Sequence, residues 1–372
     1  MPTTADRVRE LIGDAGQTQA AFADSLGMDA TKLSKSLTGV RRFSSLDLAL
    51  IAENCQVSVD WLLTGEEPAL ATAARRSAGT SASTAFDLAH YYTALRDDLV
   101  GLGYRQQWSL PAPMSRRGRW VDQGAKLAEI ALAGLSAPDD EPVDDLVGAI
   151  EGGFGVDVAI QPLGEQFDGL AVATPNSRLI LANVTPVYSR QRFTIAHELG
   201  HLLVGDDQQI HQDEDIDSAT SKHGESEMRA NAFAAAFLMP EDAMLRAFAQ
   251  VAGEASPAFG EADFCRVATA WHVSPSALAY RLKSLRVIDA GLCEAWRHIS
   301  SAEAARRANL SSEYAGRQAA SVTRRPPGSL LRDTLAAYQE GDITLRPYAQ
   351  LLGVDTRQLR QEMAVSEAPS QA

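Results

Sequence analysis

The chain has 372 residues, 45% hydrophobic and 22% charged, with a net charge of −14. That length suggests two or three domains, and the acidic balance excludes broad, non-specific coating of nucleic acid while leaving room for a small DNA-reading module with a local basic face. Cys55, Cys265 and Cys293 form neither a CxxC pair nor a disulfide framework, Met1–Glu10 lacks the apolar run of a signal peptide, and no stretch approaches the roughly 20 apolar residues of a membrane span, so a cytoplasmic protein is expected.

Residues 1–66 read as a compact helical unit. A first helix near Ala5–Ala15 places Val8, Leu11 and Ile12 on one face and ends at Gly16. A second carries Gln19, Phe22, Ala23 and Leu26 and stops at Gly27. A third turns Leu33 and Leu37 inward and stops at Gly39, a fourth follows a Ser44 or Ser45 cap, and Asp60-Trp61-Leu62-Leu63-x-Gly65 closes the unit. Short helices joined by a tight glycine turn form a helix-turn-helix. On Gln19, Phe22, Ala23, Leu26, Gly27, Leu33, Ser34, Gly39 and the Asp-Trp-Leu-Leu-x-Gly ending, the segment resembles the XRE/Cro family of DNA-binding domains. The resemblance implies that the third helix enters the major groove of double-stranded DNA with Ala30, Thr31, Lys32, Ser34 and Lys35 outward. Gln19 would then stand near a phosphate or base edge, and Arg41 and Arg42 would hold the backbone. Six basic against nine acidic side chains leave these 66 residues at −3, so binding would rest on the basic face and not on net charge. Paired half-sites suit a two-fold protein, and a homodimer is expected.

Residues 67–119 read as a linker and a connecting helix. Pro68–Thr84 is aperiodic and rich in Ala, Ser and Thr; Phe86–Leu102 is apolar at helical spacing; Gln106–Trp120, with Arg116, Arg117 and Arg119, reads as a loop with a solvated basic patch. From 120 to 250 a different pattern sets in. Helices are expected over Val121–Leu135 and Val143–Phe154, then a strand over Val156–Pro162, then two strands, Gly169–Thr174 and Arg178–Asn183, joined as a hairpin by Pro175-Asn176-Ser177.

Next comes Arg192-Phe193-Thr194-Ile195-Ala196-His197-Glu198-Leu199-Gly200-His201. On a helix, positions four apart share a face, so His197 and His201 can grip one ion, and Glu198 can reach a water bound to it as general base. The surrounding positions are apolar, so the helix looks buried and its polar groups need partners. A second helix downstream offers Glu227 as third ligand, with Glu225 as the weaker alternative and Asn231 one turn further on as support for a ligand. Arg-x-Phe-Thr-x-Ala-His-Glu-x-x-His, followed by Glu-x-x-Ala-Asn-x-Phe-Ala and Leu-Met-Pro, resembles the ImmA/IrrE family of metallo-endopeptidases over about residues 120–290. The resemblance implies Zn2+ held by His197, His201 and Glu227, catalysis by Glu198, a zincin-like α+β domain whose sheet edge pairs with substrate, and a protein substrate of the helix-turn-helix repressor class. Between the two helices, the acidic Gly205–Ser226 stretch with His211 and His223 reads as a mobile loop.

Residues 251–372 are expected to be helical. His272 and His298 read as structural. Phe264–Leu282 and Tyr348-Ala349-Gln350-Leu351-Leu352-Gly353-Val354-Asp355-x-Arg357-x-Leu359 repeat the rhythm of Phe22–Leu33, suggesting two more helix-turn-helix-like pairs that serve as packing units, and Val365–Ala372 reads as a disordered tail. The expected whole is a multi-domain, mainly α protein: a DNA-binding zinc endopeptidase acting in transcriptional control. The rival is a non-proteolytic regulator or antitoxin whose peptidase-like domain senses a signal or captures a partner such as a toxin.

Overall fold

The computed structural model describes residues 3–55, 57, 59–64, 80–109, 111, 118–135, 141–164, 167–205, 222–254 and 259–366. The expected linker falls largely outside these, as do Arg116, Arg117, His211 with its acidic surroundings, and the last six residues. The chain divides into two compact units, Met1–His90 and Tyr91–Ala372.

The first unit holds α1 (Thr4–Asp14), α2 (Gln19–Ser25), α3 (Ala30–Leu37), α4 (Ser45–Cys55) and α5 (Val59–Thr64). The first three starts are written in the sequence. Thr3 and Asp6 form a capping box, the Thr18 hydroxyl accepts from the Ala21 N–H, and the Asp29 carboxylate accepts from the Lys32 N–H at 2.9 Å. Val8, Phe22, Ala23, Leu33, Leu37, Ile51 and Leu62 make the core. Next comes α6 (Thr80–Gly101), whose residues are divided between the units.

The second unit continues with α7 (Trp120–Ala133), α8 (Leu146–Phe154), β1 (Asp157–Gln161), β2 (Gly169–Ala173), β3 (Arg178–Asn183), α9 (Tyr188–Val204) and α10 (Lys222–Leu238). Its remaining helices are α11 (Glu241–Glu254), α12 (Glu261–Ala270), α13 (Pro275–Ser284), α14 (Ala290–Trp296), α15 (Ser301–Arg307), α16 (Ser311–Ser321), α17 (Gly328–Gln339), α18 (Arg346–Leu352) and α19 (Thr356–Ser366). Helix α19 thus runs two residues into the segment expected to be disordered. No helix among the described residues is long and apolar enough to cross a membrane.

The sheet has the order β1-β3-β2. The expected hairpin pairs β2 with β3 antiparallel, while β1 runs parallel to β3 on its other side. Both β1 and β2 are therefore edges, but they are treated differently. Arg325 covers β1: its N–H and C=O exchange hydrogen bonds with Ile160 at 2.9 Å each, and its guanidinium reaches Glu151 and the Val158 carbonyl. No strand among the described residues covers β2. One core, including Ile150, Val158, Ile180, Ile195, Leu199, Phe233, Phe237, Phe264 and Trp296, joins sheet, metal-motif helix and the helices up to α15. Residues beyond 250 are thus knitted into the same unit as the sheet. Arg96 of α6 is buried there as well, bonding Asp157 of β1 and Asp333 of α17.

Candidate metal centre

Helix α9 carries the His-Glu-x-x-His motif along the boundary between its buried and open faces. Arg192, Ile195, Ala196, Leu199, Leu202 and Leu203 are buried, which leaves His197, Glu198 and His201 beside the apolar stripe. The helix is anchored at its start by Arg192, whose guanidinium donates to the Asp144 carbonyl at 3.0 Å and the Val143 carbonyl at 2.6 Å. It ends at Gly205 in the left-handed conformation, φ 62°.

Helix α10 begins at Lys222, earlier than the sequence suggested, so Glu227 lies in its second turn. The approach of α10 to α9 depends on Gly200: a Cβ there would meet the Phe233 ring at 2.9 Å. Gly200→Ala is expected to destabilise the protein by about 1–3 kcal/mol through overpacking and to weaken metal binding by moving Glu227 away. Thermal melts and metal titration of the variant check this.

The three sequence-predicted ligands converge. His197 Nε2 stands 3.1 Å from His201 Nε2 and 3.1 Å from Glu227 Oε2, and His201 Nε2 stands 3.2 Å from Glu227 Oε1. A tetrahedral zinc with bonds of about 2.0–2.1 Å sets its ligand atoms about 3.3 Å apart, so the triangle fits such an ion. The ring orientations agree. His197 Nδ1–H donates to Asn231 Oδ1 at 3.1 Å, and His201 Nδ1 lies 3.4 Å from Ser226 Oγ. With both Nδ1 atoms engaged, two Nε2 lone pairs and a carboxylate face one point, an arrangement that suits a cation. Glu225 stands outside this group. Asn231→Ala is expected to weaken zinc binding about 10–100-fold, as loss of a ligand-orienting partner typically does, measurable by competition with a chromophoric chelator.

Electrostatics separates the two glutamates. Burial would raise the Glu227 carboxyl, but the adjoining His197 and His201 rings hold it far below the usual carboxylate range. Glu198 moves the other way: burial pushes it up, the Glu227 charge adds to this, and the two histidines oppose it. The Ala171 N–H of β2 lies near enough to its carboxylate to lower its pKa. Glu198 keeps some exposure to solvent. A carboxylate with a raised pKa beside a water is suited to proton transfer.

That contact identifies which sheet edge faces the site. The Asn183 N–H donates to the Asp168 carbonyl at 2.8 Å, so in the alternating antiparallel ladder Gly169, Ala171 and Ala173 turn their backbone groups outward from β3. Gly169 lets β2 lie against α9, since a Cβ there would meet Thr194 Cγ2 at 2.5 Å. Ser226 and the Ala171 amide are site groups that the sequence reading missed. Ser226 had one available signal, its place directly before a ligand, whereas a backbone N–H leaves none.

Of the expected DNA contacts, Gln19, Ala30, Thr31, Lys32, Ser34, Lys35 and Arg42 are exposed. Arg41 is half-buried and bonds Asp47 at 2.7 Å and Ser36 Oγ at 3.1 Å. His272 is buried, held by Asp144 at 2.6 Å. The side chain of His223 lies outside the described residues.

The motif, the ligand triangle and the strand beside it invite comparison with known proteins. Residues 152–283 match the Peptidase_M78 family, described as the IrrE N-terminal-like domain. The match takes in all three strands and both metal-motif helices and ends in α13, a shorter span than the resemblance suggested. Over 118 residues the chain is 35% identical to the radiation response metalloprotease IrrE of Deinococcus radiodurans, covering 32% of this chain and 34% of that protein. The chain thus spans about a third of the length of this relative. Together these matches support a metallopeptidase domain within the second unit.

Proposed function

We propose that the protein is a cytoplasmic zinc-dependent endopeptidase that cleaves a protein substrate under the guidance of a DNA-binding domain. The observation that carries the peptidase part is the ligand triangle with edges of 3.1–3.2 Å, closed by side chains from two helices. His197, His201 and Glu227 hold the ion; bound there, zinc supplies Lewis acidity that brings the pKa of water toward about 7. Glu198 accepts a proton from the attacking water and delivers it to the leaving amide nitrogen. A substrate in extended conformation adds to the outer edge of β2, whose backbone places it beside Glu198.

The first unit supports the DNA-binding part. Helix α3 follows α2 after a turn at Gly27 and presents Thr31, Lys32, Ser34 and Lys35 to solvent, with Leu33 and Leu37 in the core. Lys32 and Lys35 would approach the phosphates and base edges of a half-site, Gln19 and Arg42 would flank them, and a homodimer would span two half-sites. The substrate class that suits such a fusion is a helix-turn-helix repressor, brought to the enzyme at a shared operator.

The test is incubation of the zinc-loaded protein with a repressor encoded beside it. Cleavage that disappears in Glu198→Gln supports the reading. An intact repressor, in a protein that still binds it or a neighbouring toxin, favours the non-proteolytic regulator.

A further inference from the structure

The α18–α19 pair repeats the hydrogen bonds of the α2–α3 turn. The Met28 N–H donates to the Ala23 carbonyl at 2.8 Å, and the Val354 N–H donates to the Ala349 carbonyl at 3.0 Å. Gly27 and Gly353 both take left-handed φ, 60° and 70°. Asp29 Oδ1 accepts from the Lys32 N–H at 2.9 Å, and Asp355 Oδ1 accepts from the Gln358 N–H at 3.0 Å. Ala23 and Ala349 are both fully buried where the two helices cross, and Leu33 and Leu359 fill the same inward position.

A left-handed residue at a helix end is common, so the turn alone decides nothing. The same turn joins α12 to α13, where the Val273 N–H donates to the Ala268 carbonyl at 3.1 Å. There, however, Ala279 occupies the position matching Ser34 and is fully buried, and Arg281 is tied to the Met239 carbonyl. That pair is a packing unit. Helix α19 differs. Arg357, Gln358, Arg360 and Gln361 occupy the positions of Thr31, Lys32, Ser34 and Lys35, and all four are exposed. Neither Arg357 nor Arg360 has an ion-pair partner among the described residues, whereas Arg297 and Arg306 each pair with a glutamate one turn earlier; Gln358 donates to Glu362 Oε1 at 2.9 Å. Arg and Gln are the side chains whose paired donors and acceptors match guanine and adenine edges in the major groove. Arg346 is exposed at the start of α18, and a guanidinium there can hold a DNA phosphate.

We infer that α17–α19 form a second DNA-reading module, with α19 as its recognition helix for duplex DNA. This does not depend on the peptidase reading or on the N-terminal domain. The chain would then carry two readers, and its preferred site would contain two different motifs.

The test uses the full-length protein, selecting from a pool of random-sequence duplexes, together with R357A/R360A, R357K/R360K and K32A/K35A. All the altered side chains are exposed, and thermal melts confirm that the variants fold. R357A/R360A is expected to lose one enriched motif and to bind the duplex carrying it about tenfold or more weakly, with a shallower salt dependence. R357K/R360K keeps the charge but not the planar fork, so the salt dependence stays and the motif relaxes. The inference is overturned if R357A/R360A recovers the same motifs with the same affinity and salt dependence as the parent. Failure of the N-terminal reading would instead appear as an unchanged K32A/K35A.

Discussion

Glu198→Gln is expected to lower kcat/KM for peptide hydrolysis by about 10²- to 10⁴-fold while leaving zinc content unchanged, because the amide keeps the shape of the carboxylate but cannot take a proton. The loss should fall on kcat, since Glu198 lies outside the His197, His201 and Glu227 cluster that could hold the ion. Steady-state kinetics on a cleavable protein, paired with metal analysis of the same sample, separates a lost base from a lost ion. The raised pKa of this carboxyl sharpens the expectation. A base with a pKa nearer the working pH takes the proton with more driving force, so its removal costs more than removal of an ordinary surface carboxylate would.

The second large effect belongs to the ligands. His201→Ala and Glu227→Ala are each expected to lower zinc affinity by more than the roughly 10–100-fold that a ligand's neighbour contributes, and activity should fall with it. Acid should do the same reversibly. The imidazoles bind metal only through an unprotonated nitrogen, so zinc affinity should fall on acidification. Glu227 should not set this limit. The two histidines hold its carboxyl far below the usual carboxylate range. Chelator competition across the pH range measures both effects.

Much of the site was legible because its information is local. Four-residue spacing puts His197 and His201 on one helical face, and Asn231 follows Glu227 by one turn, so both relations survive without knowing the fold. The hairpin was equally legible, since Pro175-Asn176-Ser177 can only turn. What depends on distant partners was not. Nothing near Val158 says that β1 will lie parallel to β3 and not beside β2, or that Arg325, more than 160 residues later, will cover its free side. The backbone amide of Ala171 carries no sequence mark, yet it ties the free edge of the sheet to the proposed base. The three repeated helix pairs show the same limit. Their turns are alike in sequence, and burial of Ala279 against exposure of Arg360 is what separates a packing pair from one open to solvent.

The most direct test of the central claim is zinc K-edge absorption on the purified protein. The expected result is bound zinc surrounded by two imidazole nitrogens and carboxylate or water oxygens at about 2.0–2.1 Å, with one imidazole lost in His201→Ala. A protein that takes up no zinc, or one whose zinc shell is unchanged in His201→Ala and Glu227→Ala, would contradict it.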